Sequence, residues 1–171
     1  MRGAQQAQQA EPLTARRARE VVAEVADPEI PVLTIADLGV LREVTVDAGG
    51  RVHVTITPTY SGCPAMDAIR DDIVEALRER GAPDVSVHTT LSPPWTTDWV
   101  TEQGRRKLRE YGVAPPEPTG RPGPVPVVLA ARCPRCGSAD TREISRFGST
   151  ACKAIHACNS CLEPFDRFKT L

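Results

Sequence analysis

The sequence has few aromatic residues, no long apolar run and almost no net charge. Aromatic side chains make up 4% of the 171 positions, so the core must be built mainly from Val, Ile, Leu and Ala. No stretch approaches the roughly 18–20 apolar residues of a membrane span. The formal net charge of −1 gives no general reason to expect a nucleic acid or an anionic membrane as partner. Residues 1–12 lack the apolar core of a secretory signal and are predicted to form a disordered polar tail, so we expect a soluble, cytoplasmic protein.

The six cysteines are distributed unevenly along the chain. One of them, Cys63, lies in the first half, whereas the second half contains two Cys-x-x-Cys pairs, Cys133 with Cys136 and Cys158 with Cys161. Each such turn aims two thiolates at one point, so the two pairs predict a tetrahedral structural zinc site in a zinc ribbon. Two disulfides, or an iron site of the rubredoxin type, would use the same spacing and remain alternatives.

Two further residues of the second half could also bind the metal. Cys152 and His156 lie close to Cys158 in sequence, and either could replace one of the four cysteines as a ligand. We prefer the symmetrical four-cysteine set and interpret His156 as an ordinary strand residue. The role of Cys152, as a small buried apolar residue or as a spare thiol, is left open by the sequence.

The apolar pattern predicts an α+β fold with the element order α-β-β-α-β-α. Apolar residues recur at helical spacing in three segments and alternate with period two in a hairpin and a third strand. The expected elements are helices over 13–26, 64–81 and 101–110, a hairpin over 40–58 and a strand over 85–89. Together they predict a small mixed sheet packed with helices, followed by a C-terminal zinc-ribbon module whose strands are TREISRF and CKAIHAC.

A proline-rich stretch separates the two predicted halves. We therefore expect an assembly-type α+β domain over 13–111, a linker over 112–126 and the ribbon over 127–171.

Cys63 is the candidate reactive residue of the first half. It precedes Pro64 and is predicted to be the N-cap of the second helix, where the helix dipole would lower the thiol pKa. From the sequence, Cys63 could be a nucleophile, a metal ligand, a transient cluster ligand or a buried structural cysteine. The acidic loop that contains Asp27, Glu29 and Asp37 would suit iron if it lay beside the thiolate. Capping of turns and helix ends is the alternative role for these carboxylates.

Three motifs of the first half carry a resemblance to a known family. Asp27-Pro28-Glu29, Asp37-Leu38-Gly39 and the segment from Thr57 to Cys63-Pro64 closely resemble the iron–sulfur assembly domain of SufT-like proteins. The C-terminal segment GSTACKAIHACNSCLEPFDRFK narrows the resemblance to the D subunits of phenylacetyl-CoA epoxidase (ring-oxygenase) systems, in which this domain is fused to a zinc-binding C-terminus.

The resemblance implies an accessory role in aerobic phenylacetate catabolism. It implies that Cys63 is the reactive cysteine, that the two Cys-x-x-Cys pairs bind zinc, and that iron or an iron–sulfur cluster is held transiently. The implied partners are the oxygenase and reductase subunits. The chain lacks the Glu-x-x-His pairs of a di-iron bundle and a Gly-rich dinucleotide loop, so we do not expect it to be the oxygenase or the reductase itself.

Two other functions remain open beside this maturation role. The chain could be a stoichiometric structural subunit with Phe165 and Phe168 as interface anchors, although these rings could equally pack over the zinc knuckles. A nucleic-acid-binding ribbon ranks lower, because acidic residues dilute its basic residues, which are Arg132, Arg135, Arg142, Arg146, Arg167 and Lys169. The oligomeric state is not fixed by the sequence, and a homodimer formed through a sheet edge is one arrangement that it allows.

Overall fold

The computed structural model describes residues 13–60, 62–117 and 131–170. The predicted tail over 1–12 and most of the predicted linker therefore lie outside the described residues. Within the described ranges, no helix combines the length and the apolar character needed to cross a membrane.

The first half is a layer of helices on a three-stranded sheet. Its elements are α1 (Ala15–Ala23), β1 (Leu41–Val46), β2 (Val52–Ile56), α2 (Ala65–Glu79), β3 (Val85–Thr89) and α3 (Glu102–Tyr111). Strand β2 lies in the middle, antiparallel to β1 and parallel to β3. This arrangement confirms the predicted small mixed sheet and the order α-β-β-α-β-α.

The periodicity of β2 and α2 explains why they form the centre of the core. Val52, Val54 and Ile56 alternate along β2 and are fully buried, since side chains two apart share one face of a strand. Helix α2 buries a stripe of residues at helical spacing that includes Ile69 and Ile73. It also supplies the crossover that the parallel β2–β3 pair requires.

The Asp-Leu-Gly segment fixes the chain that leads into α3. The indole N–H of Trp95 donates a hydrogen bond of 2.8 Å to the carbonyl oxygen of Leu38. Gly39 has φ +71°, and a Cβ atom at this position would lie 2.6 Å from Cβ of Trp99. Only glycine fits such a close approach in this backbone conformation, so the motif has a packing role here.

The second half is a four-stranded sheet with the order β4-β7-β6-β5. Its strands are β4 (Val113–Ala114), β5 (Thr141–Ser145), β6 (Lys153–Cys158) and β7 (Pro164–Phe168). Strands β5 and β6 correspond to the two predicted ribbon strands, whereas β4 and β7 were not predicted. Because β4 pairs in parallel with β7, residues that were assigned to the linker take part in the ribbon sheet.

The two halves share part of one hydrophobic core. Phe168 on β7 is 1% exposed, and its ring centroid lies 6.2 Å from that of Trp95 in the first half. Phe165 packs instead into the small ribbon core with Cys133 and Cys158. The interpretation of Phe165 and Phe168 as interface anchors is therefore wrong, because both rings are buried. The alternative, packing over the metal-binding turns, is confirmed for Phe165.

Candidate functional site

The four cysteines of the Cys-x-x-Cys pairs converge on one point. The sulfur atoms of Cys133, Cys136, Cys158 and Cys161 all lie within 4.8 Å of one another. The Sγ atoms of Cys133 and Cys161 are 3.7 Å apart, and those of Cys136 and Cys158 are 3.5 Å apart. A disulfide needs about 2.05 Å, whereas a tetrahedron with metal–sulfur bonds of about 2.3 Å separates its sulfur atoms by about 3.8 Å. The spacing is that of a four-thiolate metal site.

The two metal-binding turns have matching backbones. In each turn the residue four positions after the first cysteine has a positive φ, which is 77° at Gly137 and 64° at Leu162. The N–H of Gly137 donates to the carbonyl of Cys133, and the N–H of Leu162 donates to that of Cys158. Glycine adopts this conformation without steric cost at Gly137, whereas Leu162 adopts the same conformation although it has a side chain.

The electrostatics of the four thiols favour a divalent cation. The backbone N–H of Cys161 is the largest influence on Cys158 and lowers its pKa to about 6. The N–H of Ser138 pulls the pKa of Cys136 down, but hydrogen bonds to neighbouring thiols and burial outweigh it and raise the pKa to about 12. Thiolates at this separation repel one another, and a bound metal ion replaces the protons that would otherwise keep them neutral.

His156 lies outside this group. It is a buried residue of β6, and its ring stacks on Phe165 with the centroids 5.8 Å apart. The structure thus places His156 as a strand residue, in agreement with the preferred four-cysteine set.

Cys63 lies in the turn before α2. The N-cap of this helix is Pro64, so Cys63 is one position earlier than the sequence predicted. Burial is the largest influence on the thiol and raises the pKa of Cys63, and the carboxylates of Glu29 and Asp27 raise it further. The predicted lowering of this pKa is wrong, because burial and two negative charges outweigh the hydrogen bond from the N–H of Ala65.

Asp27 and Glu29 are the acidic residues that act on Cys63. One oxygen of Asp27 accepts hydrogen bonds from the N–H groups of Glu29 and Ile30, at 2.9 Å and 2.8 Å. Burial raises the pKa of Asp27, and it raises that of Glu29 as well, with the charge of Asp27 adding to the effect. Both carboxylates thus disfavour the thiolate of Cys63, while the charge of Lys153 lowers the pKa of the two carboxylates.

Asp37, the third residue of the predicted acidic loop, is engaged elsewhere. Its Oδ2 lies 2.6 Å from Nζ of Lys107 on α3 and accepts a hydrogen bond from the N–H of Thr34. Burial would raise the pKa of Asp37, but these partners outweigh it and hold the pKa below its ordinary value. The structure gives Asp37 a role in attaching α3 and does not bring it together with Cys63.

Cys152 is a buried cysteine of the ribbon whose surroundings the sequence did not predict. Its Sγ lies 3.8 Å from Oε2 of Glu29, although the two residues are 123 positions apart. The sequence showed only that this thiol is left over from the two Cys-x-x-Cys pairs. Its neighbour could not be predicted, because the contact depends on how the ribbon packs against the first half.

Comparisons with known proteins agree with the two halves seen in the structure. Residues 16–89 match the family described as "Iron-sulfur cluster assembly protein", and residues 123–169 match the "PaaD zinc beta ribbon domain". A crystal structure from Bacillus anthracis, described as a domain of unknown function DUF59, has a TM-score of 0.51 at 25% identity and covers 55% of this chain and 90% of that chain.

Two curated relatives match different lengths of the chain. The Fe-S protein maturation auxiliary factor YitW of Bacillus subtilis (strain 168) is 40% identical over 50% of this chain and 83% of its own length. An Escherichia coli (strain K12) protein, named as the D subunit of a 1,2-phenylacetyl-CoA epoxidase, is 50% identical over 88% of this chain and 90% of its own length. Since this second similarity spans both halves, the chain belongs to the PaaD-like family, in which an iron–sulfur cluster assembly domain is joined to a zinc β-ribbon.

Proposed function

We propose that this chain is a cytoplasmic accessory protein that assists assembly of an iron or iron–sulfur centre in the oxygenase or reductase of a phenylacetyl-CoA epoxidase system. Cys63 holds the iron or cluster transiently, and Asp27 and Glu29 support it. The observation that carries this proposal is the partly exposed thiol of Cys63 beside two carboxylates, in a domain of the iron–sulfur assembly family.

The donor set of Cys63 suits iron as cargo. Thiolate together with carboxylate binds iron readily, and the two negative charges offset the cost of bringing a cation to a partly buried position. Cys63 keeps part of its surface accessible, which a carrier needs if it is to pass its cargo to another protein.

The surroundings of Cys63 support a carrier rather than a catalyst. Nucleophilic cysteines are activated by an adjacent base or by a lowered pKa, and the pKa of Cys63 is raised. Among the described residues, the histidine rings pack against other groups, His53 against His88 and His156 against Phe165.

We assign a structural zinc ion to Cys133, Cys136, Cys158 and Cys161. The convergence of four thiols and the match to a zinc β-ribbon family support zinc in preference to iron at this second site.

The proposal is tested by producing the cognate oxygenase and reductase with and without this chain. We expect the iron content and turnover of a client to fall without it, and wild type but not Cys63→Ala to restore both. Tyr60→Ala is the matched control, because it changes an exposed side chain in the same loop and keeps the thiol. Equal iron loading by Cys63→Ala and wild type would refute the carrier role.

A stoichiometric structural subunit is the second candidate, and the name of the Escherichia coli relative as part of an epoxidase favours it. Phe165 and Phe168 cannot supply its interface, but Ile144, Phe147 and Leu162 are large apolar residues of the ribbon that are exposed. This reading requires co-purification at equal stoichiometry with the working oxygenase. Normal client iron without this chain, together with such co-purification, would favour it over the carrier.

A further inference from the structure

The ribbon sheet has two faces, and the face opposite Phe168 borders a cavity. Phe168 packs into the shared core, and neighbouring residues of a strand point to opposite faces, so Arg167 lies on the other side. The strand register pairs Arg167 with Ala154 and His156 with Glu143. Paired residues of antiparallel strands share a face, as do residues two apart on one strand. These four residues therefore lie together, and they line part of an open cavity of about 440 Å³.

Two side chains of this cavity hold buried nitrogen atoms without hydrogen-bond partners. The side chain of His156 is 4% exposed, and neither of its ring nitrogens forms a hydrogen bond with a described residue. Oε2 of Glu143 lies 3.9 Å from Nε2 of His156, which is beyond hydrogen-bond distance. Nε of Arg167 is also buried without an acceptor. Because buried polar atoms of folded proteins are nearly always paired, these three nitrogens indicate a partner that binds in the cavity.

The charge at the cavity favours an acidic partner. Arg146, Arg167 and Lys169 line it together with one described carboxylate, that of Glu143. Oε1 of Glu143 lies 3.7 Å from Nε of Arg146, and Nζ of Lys169 donates a hydrogen bond of 2.8 Å to the carbonyl of Ala151. Within the described ranges, no carboxylate forms an ion pair with Arg167. Its guanidinium group is therefore available to bind a carboxylate from another molecule.

An exposed aromatic ring at the same cavity favours a partner that also has an apolar part. Phe147 lines the cavity and is 77% exposed, with Nζ of Lys169 lying 5.3 Å from its ring centroid. Aromatic and arginine side chains are the residues that contribute most to binding at protein interfaces. A small inorganic anion would leave the ring of Phe147 in water, whereas a peptide segment can contact the ring and the guanidinium group together.

We propose that this face of the ribbon binds an acidic segment of a partner protein, with a carboxylate at Arg167 and His156 and an apolar side chain against Phe147. We call these three residues the acid-binding face. The guanidinium group donates two parallel hydrogen bonds to a carboxylate, and a neutral imidazole can donate one more. A nucleic acid fits less well, because its phosphates need a longer basic stripe and Glu143 would repel them. The inference goes beyond the proposed function, since it requires neither Cys63 nor a metal cargo.

The test is an NMR titration of the full, zinc-loaded chain with a short peptide. The probe has a central phenylalanine with two glutamates on each side and blocked ends, and the reference peptide has glutamine in place of each glutamate. We expect saturable shifts of backbone amide signals in β5, β6 and β7 with the acidic peptide and no saturation with the reference. Arg167→Gln should weaken binding by about tenfold or more, because hydrogen bonds between charged groups are lost.

Two further variants separate the acid-binding face from general charge and from folding. Arg142→Gln is the matched control, because it removes the same charge from an exposed residue of β5 that is not among the described residues lining the cavity, and binding should be unchanged. Phe147→Ala should weaken binding without unfolding the ribbon, since this ring is mostly exposed. It tests the acid-binding face even if Arg167→Gln folds poorly. A zinc content equal to that of wild type verifies that the ribbon is intact in each variant.

The outcomes decide the inference independently of the proposed function. Wild-type affinity in both Arg167→Gln and Phe147→Ala would overturn it, and so would a wild-type chain that binds the two peptides equally or binds neither. Tighter binding of a ten-nucleotide oligothymidylate than of the acidic peptide would also overturn it in favour of a nucleic acid. Cys63→Ala should bind the acidic peptide as wild type does, so failure of the carrier role would leave the acid-binding face intact.

Discussion

At the residue scale, the motifs of the first half divide into structural and chemical parts. Gly39 has a structural role, because Trp99 packs too closely for any other side chain. Asp37 also has a structural role, because it pairs with Lys107. Asp27 belongs to both groups, because one oxygen closes a turn by accepting two N–H groups while its charge acts on Cys63. The two functions of Asp27 can be separated by substitution, since an amide keeps the acceptor and loses the charge.

We predict that Asp27→Asn is at least as stable as wild type at pH 7. In Asp27→Ala the free energy of unfolding should fall by about 1–3 kcal/mol, because two backbone N–H groups lose their acceptor. The folded-state pKa of Asp27 is raised above 3.8, so its ionisation opposes folding above that pH and has no effect well below it. The advantage of Asp27→Asn should therefore disappear at about pH 3. Urea unfolding at the two pH values measures this. Equal destabilisation by Asn and Ala would show that the charge, not the turn, stabilises the loop.

At the scale of elements, the sequence predicted the helices and strands whose residue pattern is visible within the segment itself. The alternation in β2 and the stripe of α2 are visible without any partner, and so is the Cys-x-x-Cys spacing. Helix α1 ends at Ala23, earlier than predicted, because Ala26 pairs with Thr34 in an isolated bridge and draws the chain into the acidic loop.

The elements that the sequence did not predict depend on partners far away in the chain. Strand β4 has two residues, and it exists only because it pairs with β7. The contact between Cys152 and Glu29 likewise depends on packing between the halves, so no local pattern could indicate it. For the candidate site, Cys63 and the four ribbon thiols could therefore be named from the sequence, whereas the neighbour of Cys152 could not.

The next prediction concerns strand β7, because this strand links the ribbon to the larger core. Phe168→Ala should lower the free energy of unfolding by about 3–5 kcal/mol, because a buried ring is replaced by a cavity. It should also shift the emission of Trp95 to the red as this side chain becomes hydrated. Phe147→Ala is the matched control: this ribbon phenylalanine is 77% exposed, and its loss should change stability by no more than about 0.5 kcal/mol. Equal effects of the two substitutions would show that Phe168 does not anchor the ribbon.

At the scale of the whole molecule, the two halves differ in what stabilises them. The first half has an extensive core of aliphatic side chains. The buried core of the ribbon is a cluster of Ala114, Ala131, Cys133, Cys158 and Phe165, and two of these are candidate metal ligands. So little apolar surface cannot offset the entropy of ordering the ribbon strands, and the metal must contribute much of the ribbon's stability.

Removal of the metal should consequently unfold the ribbon and leave the assembly domain folded but less stable, because Phe168 and Cys152 then leave the shared core. Hydrogen exchange in the presence of a chelator should show loss of protection in β5 and β6, with α2 and β2 still protected. Cys136→Ser is the informative variant: Cys136 is the exposed cysteine of the four, so its replacement removes a ligand with little loss of packing. It should reproduce the effect of the chelator, and the chelator should add nothing to it. Protection of β5 and β6 that survives both treatments would mean that packing against the first half, rather than the metal, holds the ribbon together.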